Sequence, residues 1–461
     1  MKLKDIIEEY ISGDWGNEDF SPETPCAVYC VRGADIVPIS NDQFNDIPLR
    51  YVSKRTKDNK TLRAGDLVIE KSGGSPVQST GRITYISQEL IDSKQSVVCS
   101  NFCTSIRIKD SWNSKFIYYY WQYIYNSGVF FNFEGKTSGL KNLQFDNAIS
   151  SIDIPEYTLE QQTEIADILS KLESKMTVNR EINRNLEAMA RQLYDYWFVQ
   201  FDFPDENGKP YKSSGGKMAW DEKLKRDIPE DWKSNKISEI AKTYSGGTPT
   251  SSNKDYYDSK DVPWINSGEL NESFITATDN YISEFGLNNS SAKIYPANSI
   301  LVALYGATAG KVSFLSFEAS SNQAVCGVIP NHANLTEYLY IALSSLCKYY
   351  ISLSTGSARD NISQATVKDT LLLFPNNKIL GEFHILASKI FDKIINCQLE
   401  ILNLTKQRDE LLPLMMSSQV SVMPSEVNCD LYFARCHTFI NFEYVILPLY
   451  TAEGFFKHSS T

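Results

Sequence analysis

The sequence predicts an α+β fold in which two β-rich domains are joined by two long antiparallel coiled-coil helices, with an internal pseudo-two-fold repeat. Long segments with apolar residues at heptad spacing occur twice in the chain. The β-rich segments ahead of them resemble each other, which indicates a duplication. A stretch rich in Pro, Gly and Ser separates the two copies.

The two long helices are predicted at residues 156–200 and 377–418. Residues 160–198 lack Pro and Gly, and their apolar side chains recur at steps of four and three, with Asn179 and Asn183 in the same register. The second segment keeps this pattern with one basic interruption. A helix of about 39 residues extends about 58 Å, so one globular core cannot bury it. Each helix needs a partner stripe, and the two are expected to pair.

Matching motifs precede both helices in the same order. Residues 64–69 resemble residues 297–302, and each segment is typical of a turn that enters a short buried strand. Both copies continue with a glycine and a cation that open a strand, at residues 81–86 and 310–315. Two further pairs complete the repeat: residues 139–143 with 358–362, and residues 154–155 with 374–375.

The repeat divides the chain into six segments. They are the first β-rich domain (1–155), the first long helix (156–200), a linker (201–227), the second β-rich domain (228–376), the second long helix (377–418) and an aromatic-rich tail (419–461) of unassigned role. Two antiparallel helices with a domain at each end would present two binding surfaces at a fixed separation. Duplex DNA suits such an arrangement, and a two-headed protein-binding adaptor would have the same design.

Composition limits the class of protein. With 461 residues and 42% hydrophobic side chains, the chain can form several buried cores. It has no apolar run of membrane-helix length and no secretion signal in its first ten residues, and its nine scattered cysteines indicate a reducing cytoplasm. The net charge of −11 is unusual for a protein that binds nucleic acid alone. DNA contacts would therefore need locally basic surfaces or help from a partner.

An ordered set of motifs resembles the target-recognition domains and long helices of type I restriction–modification specificity (S) subunits. The motifs are Ser-Gly-Gly-Thr-Pro-Thr (245–250), Val-Pro-Trp-Ile (262–265), Gly-Glu-Leu (268–270), Tyr-Gly-Ala-Thr-Ala-Gly-Lys-Val (305–312), a helix entry from Pro155 with Glu-Gln-Gln (160–162), Ile-Asn-Arg-Asn-Leu-Glu (182–187) and Arg-Asp-Glu-Leu-Leu-Pro (408–413). The resemblance covers residues 1–418. The ordered and duplicated set is highly specific.

The resemblance implies a non-catalytic subunit without a cofactor of its own, in which each domain reads one half of a bipartite site in double-stranded DNA. It also implies partners: two modification (methyltransferase) subunits that bind S-adenosylmethionine and methylate adenine, and motor-nuclease (restriction) subunits. The paired helices would set the spacer and dock the modification subunits. The first domain lacks the Gly-Gly-Thr-Pro motif, so two different half-sites and an asymmetric target are expected.

The motifs of rival enzymatic functions are incomplete. An adenine methyltransferase needs a Pro-Pro loop beside the flipped base, and the sequence has no Pro-Pro pair. A phosphate-binding loop needs four residues between its glycines and Ser or Thr after the lysine. Here Gly306 and Gly310 enclose three residues, and Val312 follows Lys311. The four histidines lie far apart and suggest no catalytic or metal site.

Two other patterns favour structural roles. Cys26, Cys30, Cys99 and Cys103 could be interpreted as a zinc site, but their spacing is looser than in most zinc modules, so no metal is expected. The aromatic run at residues 118–125 could stack on bases. At helical spacing, it is expected to belong to a core instead.

Candidate DNA contacts are basic, amide and hydroxyl side chains on predicted loops, because such groups bind phosphates and base edges. The alternative for each loop is ordinary turn chemistry, in which Gly, Ser and Asn are common. The predicted DNA-binding residues are Lys54, Arg55, Lys57, Lys60, Lys71, Ser75, Gln78, Arg82, Lys136, Lys141, Asn142, Thr248, Lys254, Tyr305, Thr308, Lys311, Arg359 and Asn361.

Overall fold

The computed structural model describes residues 1–73, 78–137, 140–353 and 362–417. The chain divides into two compact units, one of Met1–Glu173 with the chain from Lys406, the other of Ser174–Thr405. Each unit combines a β-rich domain with parts of both long helices. In the described part of the chain, no helix is long and apolar enough to cross a membrane. The predicted tail lies outside the described residues.

The first unit begins with a mixed succession of short strands and helices. Its strands are β1 (Ile7–Ser12), β2 (Cys26–Val31), β3 (Leu49–Val52), β4 (Leu67–Glu70), β5 (Ser72–Gly73), β6 (Ile83–Tyr85), β7 (Val97–Cys99), β8 (Cys103–Ile108), β9 (Glu134–Thr137) and β10 (Leu140–Leu143). Its helices are α1 (Ile36–Ser40), α2 (Lys54–Lys60), α3 (Gln88–Lys94), α4 (Ser114–Asn126), α5 (Phe145–Ser151) and α6 (Leu159–Tyr194), the last of which continues into the second unit.

The second unit contains a π-helical turn at Asp195–Val199, directly after α6. Its strands are β11 (Met218–Asp221), β12 (Arg226–Pro229), β13 (Lys233–Lys236), β14 (Ala241–Ser245), β15 (Val262–Ile265), β16 (Phe274–Ile275), β17 (Tyr281–Ile282), β18 (Ser299–Ala303), β19 (Val312–Leu315), β20 (Ser320–Ser321), β21 (Val325–Pro330) and β22 (Leu371–Phe374). Its helices are α7 (Ile237–Ile240), α8 (Glu284–Asn288), α9 (Thr336–Ser345), α10 (Cys347–Leu353), α11 (Gln364–Asp369) and α12 (Asn377–Met416), the last of which continues into the first unit.

Both domains have the same sheet topology. Four antiparallel strands lie in the order β1-β8-β4-β6 in the first domain and β14-β21-β18-β19 in the second, where β16 adds a parallel edge strand. A second sheet has the order β3-β2-β7 in one domain and β17-β15-β20 in the other. In both, the middle strand pairs antiparallel with one neighbour and parallel with the other. The predicted internal repeat is confirmed in its strand order.

The two central strands are β4 and β18, which the sequence predicts as buried. Every residue of both strands is buried. The turn that follows β4 closes by a hydrogen bond from Gly81 N to Glu70 O (3.0 Å), and the equivalent turn after β18 closes from Gly310 N to Ala303 O (2.9 Å). Gly81 and Gly310 both have positive φ (100° and 80°), which explains the glycine in both copies.

The end of the first sheet strand lies against a neighbouring backbone in both domains. A Cβ atom at Gly13 would lie 1.8 Å from Ser100 O, and one at Gly246 would lie 2.2 Å from Asn322 O. Any larger side chain would force these backbones apart. Gly13 therefore occupies the position of Gly246, although the first domain lacks the rest of the Gly-Gly-Thr-Pro motif.

Each domain shares its core with segments of the long helices. In the first unit, Ile165 of α6 and Leu412 of α12 pack in one cluster with side chains of β4 and α4. In the second unit, Ala190 of α6 and Phe383 of α12 pack with side chains of β18 and α9. The aromatic run of α4 is part of the first core, as predicted, with Trp121 fully buried.

Within the second unit, α6 and α12 run antiparallel. The ring of Tyr194, at the end of α6, lies 6.5 Å from that of Phe383, near the start of α12. About four turns earlier in α6, Asn179 donates from Nδ2 to Oε2 of Glu400 (2.8 Å). Lys175 forms an ion pair with the same carboxylate. Within the first unit, helix segments near the start of α6 and the end of α12 also pack together.

The two asparagines of the heptad register differ in their partners. Asn179 and Asn183 are both buried (5% and 4% exposed). Whereas Asn179 binds Glu400, neither amide atom of Asn183 has a hydrogen-bond partner among the described residues. An unpaired buried polar group costs about 1–3 kcal/mol, so Asn183 lowers the stability of this helix contact.

The predicted linker packs against the second domain. Its first part forms turns, in agreement with its composition, and β11 and β12 then form a hairpin that crosses the predicted boundary at residue 228. Phe203 is buried, and its ring stacks between those of Tyr211 and Trp232, with centroids 4.7 and 4.8 Å away. Aromatic side chains therefore bind this segment to the domain, whereas the Gly, Pro and Ser content indicated only a break in regular structure.

Replacing Gly246 by Ala should destabilise the second domain. The new Cβ would lie 2.2 Å from Asn322 O, so backbone must move, at a cost of about 1–3 kcal/mol. Gly268→Ala is the matched control, because nothing lies within 4 Å of a Cβ there. Thermal unfolding of the full chain measures both variants, and equal melting temperatures would contradict the assigned contact.

Replacing Asn183 by Leu should stabilise the second unit, because it removes an unpaired buried amide. We expect a gain of about 1 kcal/mol, seen as a rise of about 2–4 °C in the melting temperature. Asn179→Leu should instead lower the melting temperature, because it breaks the hydrogen bond to Glu400. Shifts of the same sign in both variants would contradict this explanation.

Candidate nucleic-acid interface

The basic helix α2 provides one candidate contact surface. The hydroxyl of Ser53 accepts the N–H of Thr56 (3.1 Å) and caps the start of the helix. Lys57 and Lys60 lie in the last turn, where the helix dipole favours cations. Lys60 donates from Nζ to Gly13 O (3.1 Å), which fixes the helix beside the end of β1.

Three cations of α2 have no partner within the described chain. Lys54 and Arg55 are exposed, Lys57 is half-buried, and none of their side chains bonds to another described residue. The equivalent helix of the second domain, α8, reads Glu-Phe-Gly-Leu-Asn and carries no cation. The basic helix therefore distinguishes the first domain from the second.

The small sheet β5-β10-β9 provides a second candidate surface. Lys141 Nζ lies 3.0 Å from Oε2 of Glu134, which also accepts the Thr80 N–H through Oε1 (2.8 Å). The hydroxyl of Ser72 donates to Oδ1 of Asn142 (2.5 Å). These polar side chains bind strands of the sheet to one another and to the segment that follows β5.

Both surfaces flank the turn between β7 and β8. On one side, the N–H of Asp14 donates to Cys99 O (2.7 Å); on the other, the N–H of Lys71 donates to Phe102 O (2.8 Å). Phe102 is 58% exposed at this turn. An exposed aromatic ring between two basic segments could stack on a nucleotide. A single Phe in a polar turn gave no sequence signal for such a role.

Arg82 is bound inside the first domain. Its guanidinium makes a bidentate ion pair with Glu70, with Nε–Oε2 and Nη2–Oε1 distances of 2.8 and 2.6 Å. The hydrogen bonds that Arg82 donates to Glu70 raise the pKa of Arg82, against the opposing effect of burial. Its charge is compensated within the protein, so a DNA contact from Arg82 stays a prediction.

The structure brings four other predicted residues of the first domain together. Lys141 approaches the Gln78 carbonyl (3.5 Å) and is adjacent to Asn142 in β10, while Lys71 precedes β5, which pairs with β10. Ser75 lies outside the described residues, and so does the side chain of Lys136, of which only the backbone is described.

The Gly-Gly-Thr-Pro motif joins two sheets of the second domain. The N–H of Gly247 donates to Ser321 O (2.9 Å), and its carbonyl accepts the indole N–H of Trp264 (3.0 Å). The exposed Thr248 donates its hydroxyl to Gln323. The glycines are therefore structural, and Thr248 is the candidate for ligand contact.

The remaining candidates of the second domain differ in exposure. Lys254 and Lys311 are exposed, and Lys311 donates from Nζ to Oδ1 of Asn271 (2.6 Å). Tyr305 is half-buried against the core.

Thr308 departs from the expected exposure. It is only 5% exposed and lies beside buried Ala309 in a turn closed by the hydrogen bond from Lys311 N to Thr308 O (2.9 Å). Its hydroxyl is therefore not presented to solvent. Arg359 and Asn361 lie outside the described residues.

Three of the four cysteines of the first domain, Cys30, Cys99 and Cys103, are buried thiols, and Cys26 is half-buried. Burial raises the pKa of Cys30 to about 12 and that of Cys103 to about 11, so both are protonated at neutral pH. In the described part of the chain, no group of three or more His, Cys, Asp or Glu residues is arranged to hold a metal ion.

A family model described as "Type I restriction modification DNA specificity domain" matches residues 35–188 and 229–411. The two matches cover more than half of the chain and follow its two copies. The chain belongs to this family. Membership in the specificity family confirms the resemblance of the motifs, and it includes the first domain despite its missing Gly-Gly-Thr-Pro.

Two relatives are similar over most of their length. The chain is 23% identical to the type I restriction enzyme MjaIX specificity subunit of Methanocaldococcus jannaschii over 91% of this chain and 93% of that one. It is 28% identical to the HindI specificity subunit of Haemophilus influenzae over 62% and 73%. The crystal structure of a type I S subunit from M. genitalium aligns with a TM-score of 0.53 at 13% identity, covering 90% of this chain and 95% of that chain, and shows the same fold.

Replacing Lys54, Arg55 and Lys57 together by Ala should weaken DNA binding of the assembled complex. Each lost phosphate contact should reduce the steepness of log Kobs against log salt concentration by about 1. The melting temperature should not change, because these side chains have no partner in the described chain. Titrations at several salt concentrations measure the slope. The charge-matched control replaces exposed Lys209, Lys223 and Lys233 by Ala, and an equal change in that control would contradict a specific role for α2.

Proposed function

We propose that the chain is the specificity subunit of a type I restriction–modification complex, in which each domain reads one half of a bipartite, asymmetric DNA site. One observation carries the proposal. Two domains with the same strand order, both matched by the DNA specificity family, present different side chains at equivalent positions. A protein that reads two unlike half-sites requires a shared scaffold with unlike contact surfaces.

The differences between the domains lie in the candidate interface. The first has the basic helix α2 where the second has the acidic and apolar α8. The first domain also has the exposed Phe102 where the second has Ala324. These positions correspond because equivalent hydrogen bonds close the two turns, from Cys103 N to Ser100 O in one and from Val325 N to Asn322 O in the other. These differences support two half-sites of different sequence.

The long helices would set the spacer between the half-sites. We propose that α6 and α12 form an antiparallel coiled coil between the two domains. The antiparallel contacts within the second unit and the packing of both helices in the first support this arrangement. A rigid pair of helices would keep the distance between reading domains constant, so that only sites with one spacer length fit.

The partners follow from the same proposal. Two modification subunits with S-adenosylmethionine would methylate adenine in the bound site, motor-nuclease subunits would cleave unmodified DNA, and the complex would work in the cytoplasm. The relatives are named specificity subunits, which supports a non-catalytic role here. The net charge of −11 supports sharing of phosphate contacts with the partners.

The proposal predicts a new bipartite methylation motif in cells that carry this gene with its modification subunit. Mapping N6-methyladenine across the genome, with and without the gene for this chain, measures it. A motif of two unlike halves with a fixed spacer, present only with the gene, is the expected result. A strain whose modification subunit is catalytically inactive serves as the control. Unchanged methylation with both proteins present would contradict the proposal and favour a two-headed protein adaptor.

A further inference from the structure

At each end of strand β4, a buried carboxylate forms an ion pair with a half-buried arginine. At its start, Asp66 binds Arg107 through two hydrogen bonds of 2.9 Å. At its end, Glu70 binds Arg82 through two bonds of 2.8 and 2.6 Å. Asp66 and Glu70 are 1% and 3% exposed. Breaking such a pair leaves an uncompensated charge in the interior.

The second domain has neither pair. The matching turns place Ala303 at the position of Glu70 and Lys311 at that of Arg82. The same strand alignment places Ser299 where Asp66 stands, and Ile329 where Arg107 stands. The fold does not need these charges, since the second domain forms the same sheet without them. The pairs are therefore additions of the first domain.

The Glu70 carboxylate is enclosed by backbone. A Cβ atom on Gly33 would lie 2.6 Å from its Oε1, and one on Gly73 would lie 2.5 Å from the same atom. Only glycine at both positions leaves room for the carboxylate beside Arg82. Gly73 belongs to β5, so the ion pair contacts the small candidate sheet directly.

Backbone hydrogen bonds beside the pair close the segment between β4 and β6. The N–H of Glu70 donates to Arg82 O (2.9 Å), and the N–H of Gly81 donates to Glu70 O (3.0 Å). The indole of Trp121 donates to Gly81 O (2.8 Å) from the domain core. The described flanks of the enclosed segment, 71–73 and 78–80, carry the candidate contacts Lys71 and Gln78.

The two ion pairs of β4 differ in what they border. Glu70–Arg82 borders β5, which pairs with β10 through Gly73 and Lys141. Asp66–Arg107 lies at the other end of β4, where Arg107 also pairs with Glu9 of β1. Only the first pair is positioned to orient the candidate sheet.

We infer that Glu70 and Arg82 are positioning residues for recognition of one half-site: their ion pair orients residues 71–73 and 78–80 and the sheet β5-β10-β9 against the DNA bases. The inference rests on the proposed function. The pair contacts no base itself. It fixes the backbone from which neighbouring side chains reach the groove, and therefore controls discrimination between bases more than overall affinity.

The test uses the full chain with its modification subunit in cells, with methyladenine mapping as the readout. The wild-type motif is defined first, which tests the proposed function separately. Glu70→Gln then keeps the shape of the side chain but leaves the charge of Arg82 uncompensated. We expect methylation at sites with one mismatch to rise about tenfold relative to the full motif, with all of the increase in one half of the motif.

Asp66→Asn is the control, because it breaks a bidentate pair with an equally buried carboxylate at the other end of the same strand, while Arg107 keeps Glu9 as a second partner. It should lower thermal stability and leave discrimination unchanged in both halves. The double variant Glu70→Ala with Arg82→Lys reproduces the pair of residues at these positions in the second domain. Its melting temperature should return to that of the wild type, whereas methylation at mismatched sites should stay raised in the same half of the motif. This variant decides the test if the Glu70→Gln protein does not accumulate in cells.

Three results would overturn the inference. The first is wild-type discrimination between bases in Glu70→Gln and in the double variant. The second is an equal rise of methylation at mismatched sites in both halves of the motif. The third is a rise caused by Asp66→Asn that is as large as the rise caused by Glu70→Gln. The first would make the pair a stability element only, and the others would trace the effect to general loosening of the domain. A wild-type strain without any bipartite motif would overturn the proposed function, and with it this inference.

Discussion

The structure depends on the burial of the apolar faces of two long helices. Neither α6 nor α12 can be stable alone in water, because a helix of this length exposes a continuous apolar stripe. Within each unit, residues of the two helices and of the β-rich domain pack in the same core clusters and cover much of these stripes. Ile165 and Leu412 belong to the core of one domain, and Ala190 and Phe383 to that of the other. Helices and domains therefore stabilise one another, and neither is an accessory of the other.

Duplication separates what the fold needs from what recognition uses. Backbone hydrogen bonds recur at matching positions, such as those that close the turns at Gly81 and Gly310. Side chains at the edges of the same strands do not recur: charged pairs flank β4, whereas β18 has none at those positions. Contacts shared by both copies maintain the scaffold. Contacts present in only one copy are not needed for the shared fold, and one of them, the Glu70–Arg82 pair, lies next to the candidate interface.

The sequence predicted the features that depend on local spacing. Heptads placed α6 and α12, and short motifs located the buried strands β4 and β18. The candidate site was predicted less well, because it depends on residues far apart in the chain. Arg82 has its partner twelve residues earlier in a buried strand, Thr308 is buried within its turn, and Phe102 is exposed at a turn to which two segments distant in the chain bind. The equivalence of Gly13 and Gly246 depends on the backbone carbonyls that they face, Ser100 O and Asn322 O, which the sequence does not place.

The polar contact between Asn179 and Glu400 has a consequence for the length of DNA that the protein could span. Apolar heptads alone allow two helices to slide past each other by whole repeats, since Leu and Ile fit several registers. One heptad is about 10 Å along a helix, which equals about three base pairs of duplex. An amide that must meet one carboxylate excludes such slips. In the proposed arrangement, this half-buried hydrogen bond and the Lys175–Glu400 ion pair would thus disfavour sites that are three base pairs too long or too short.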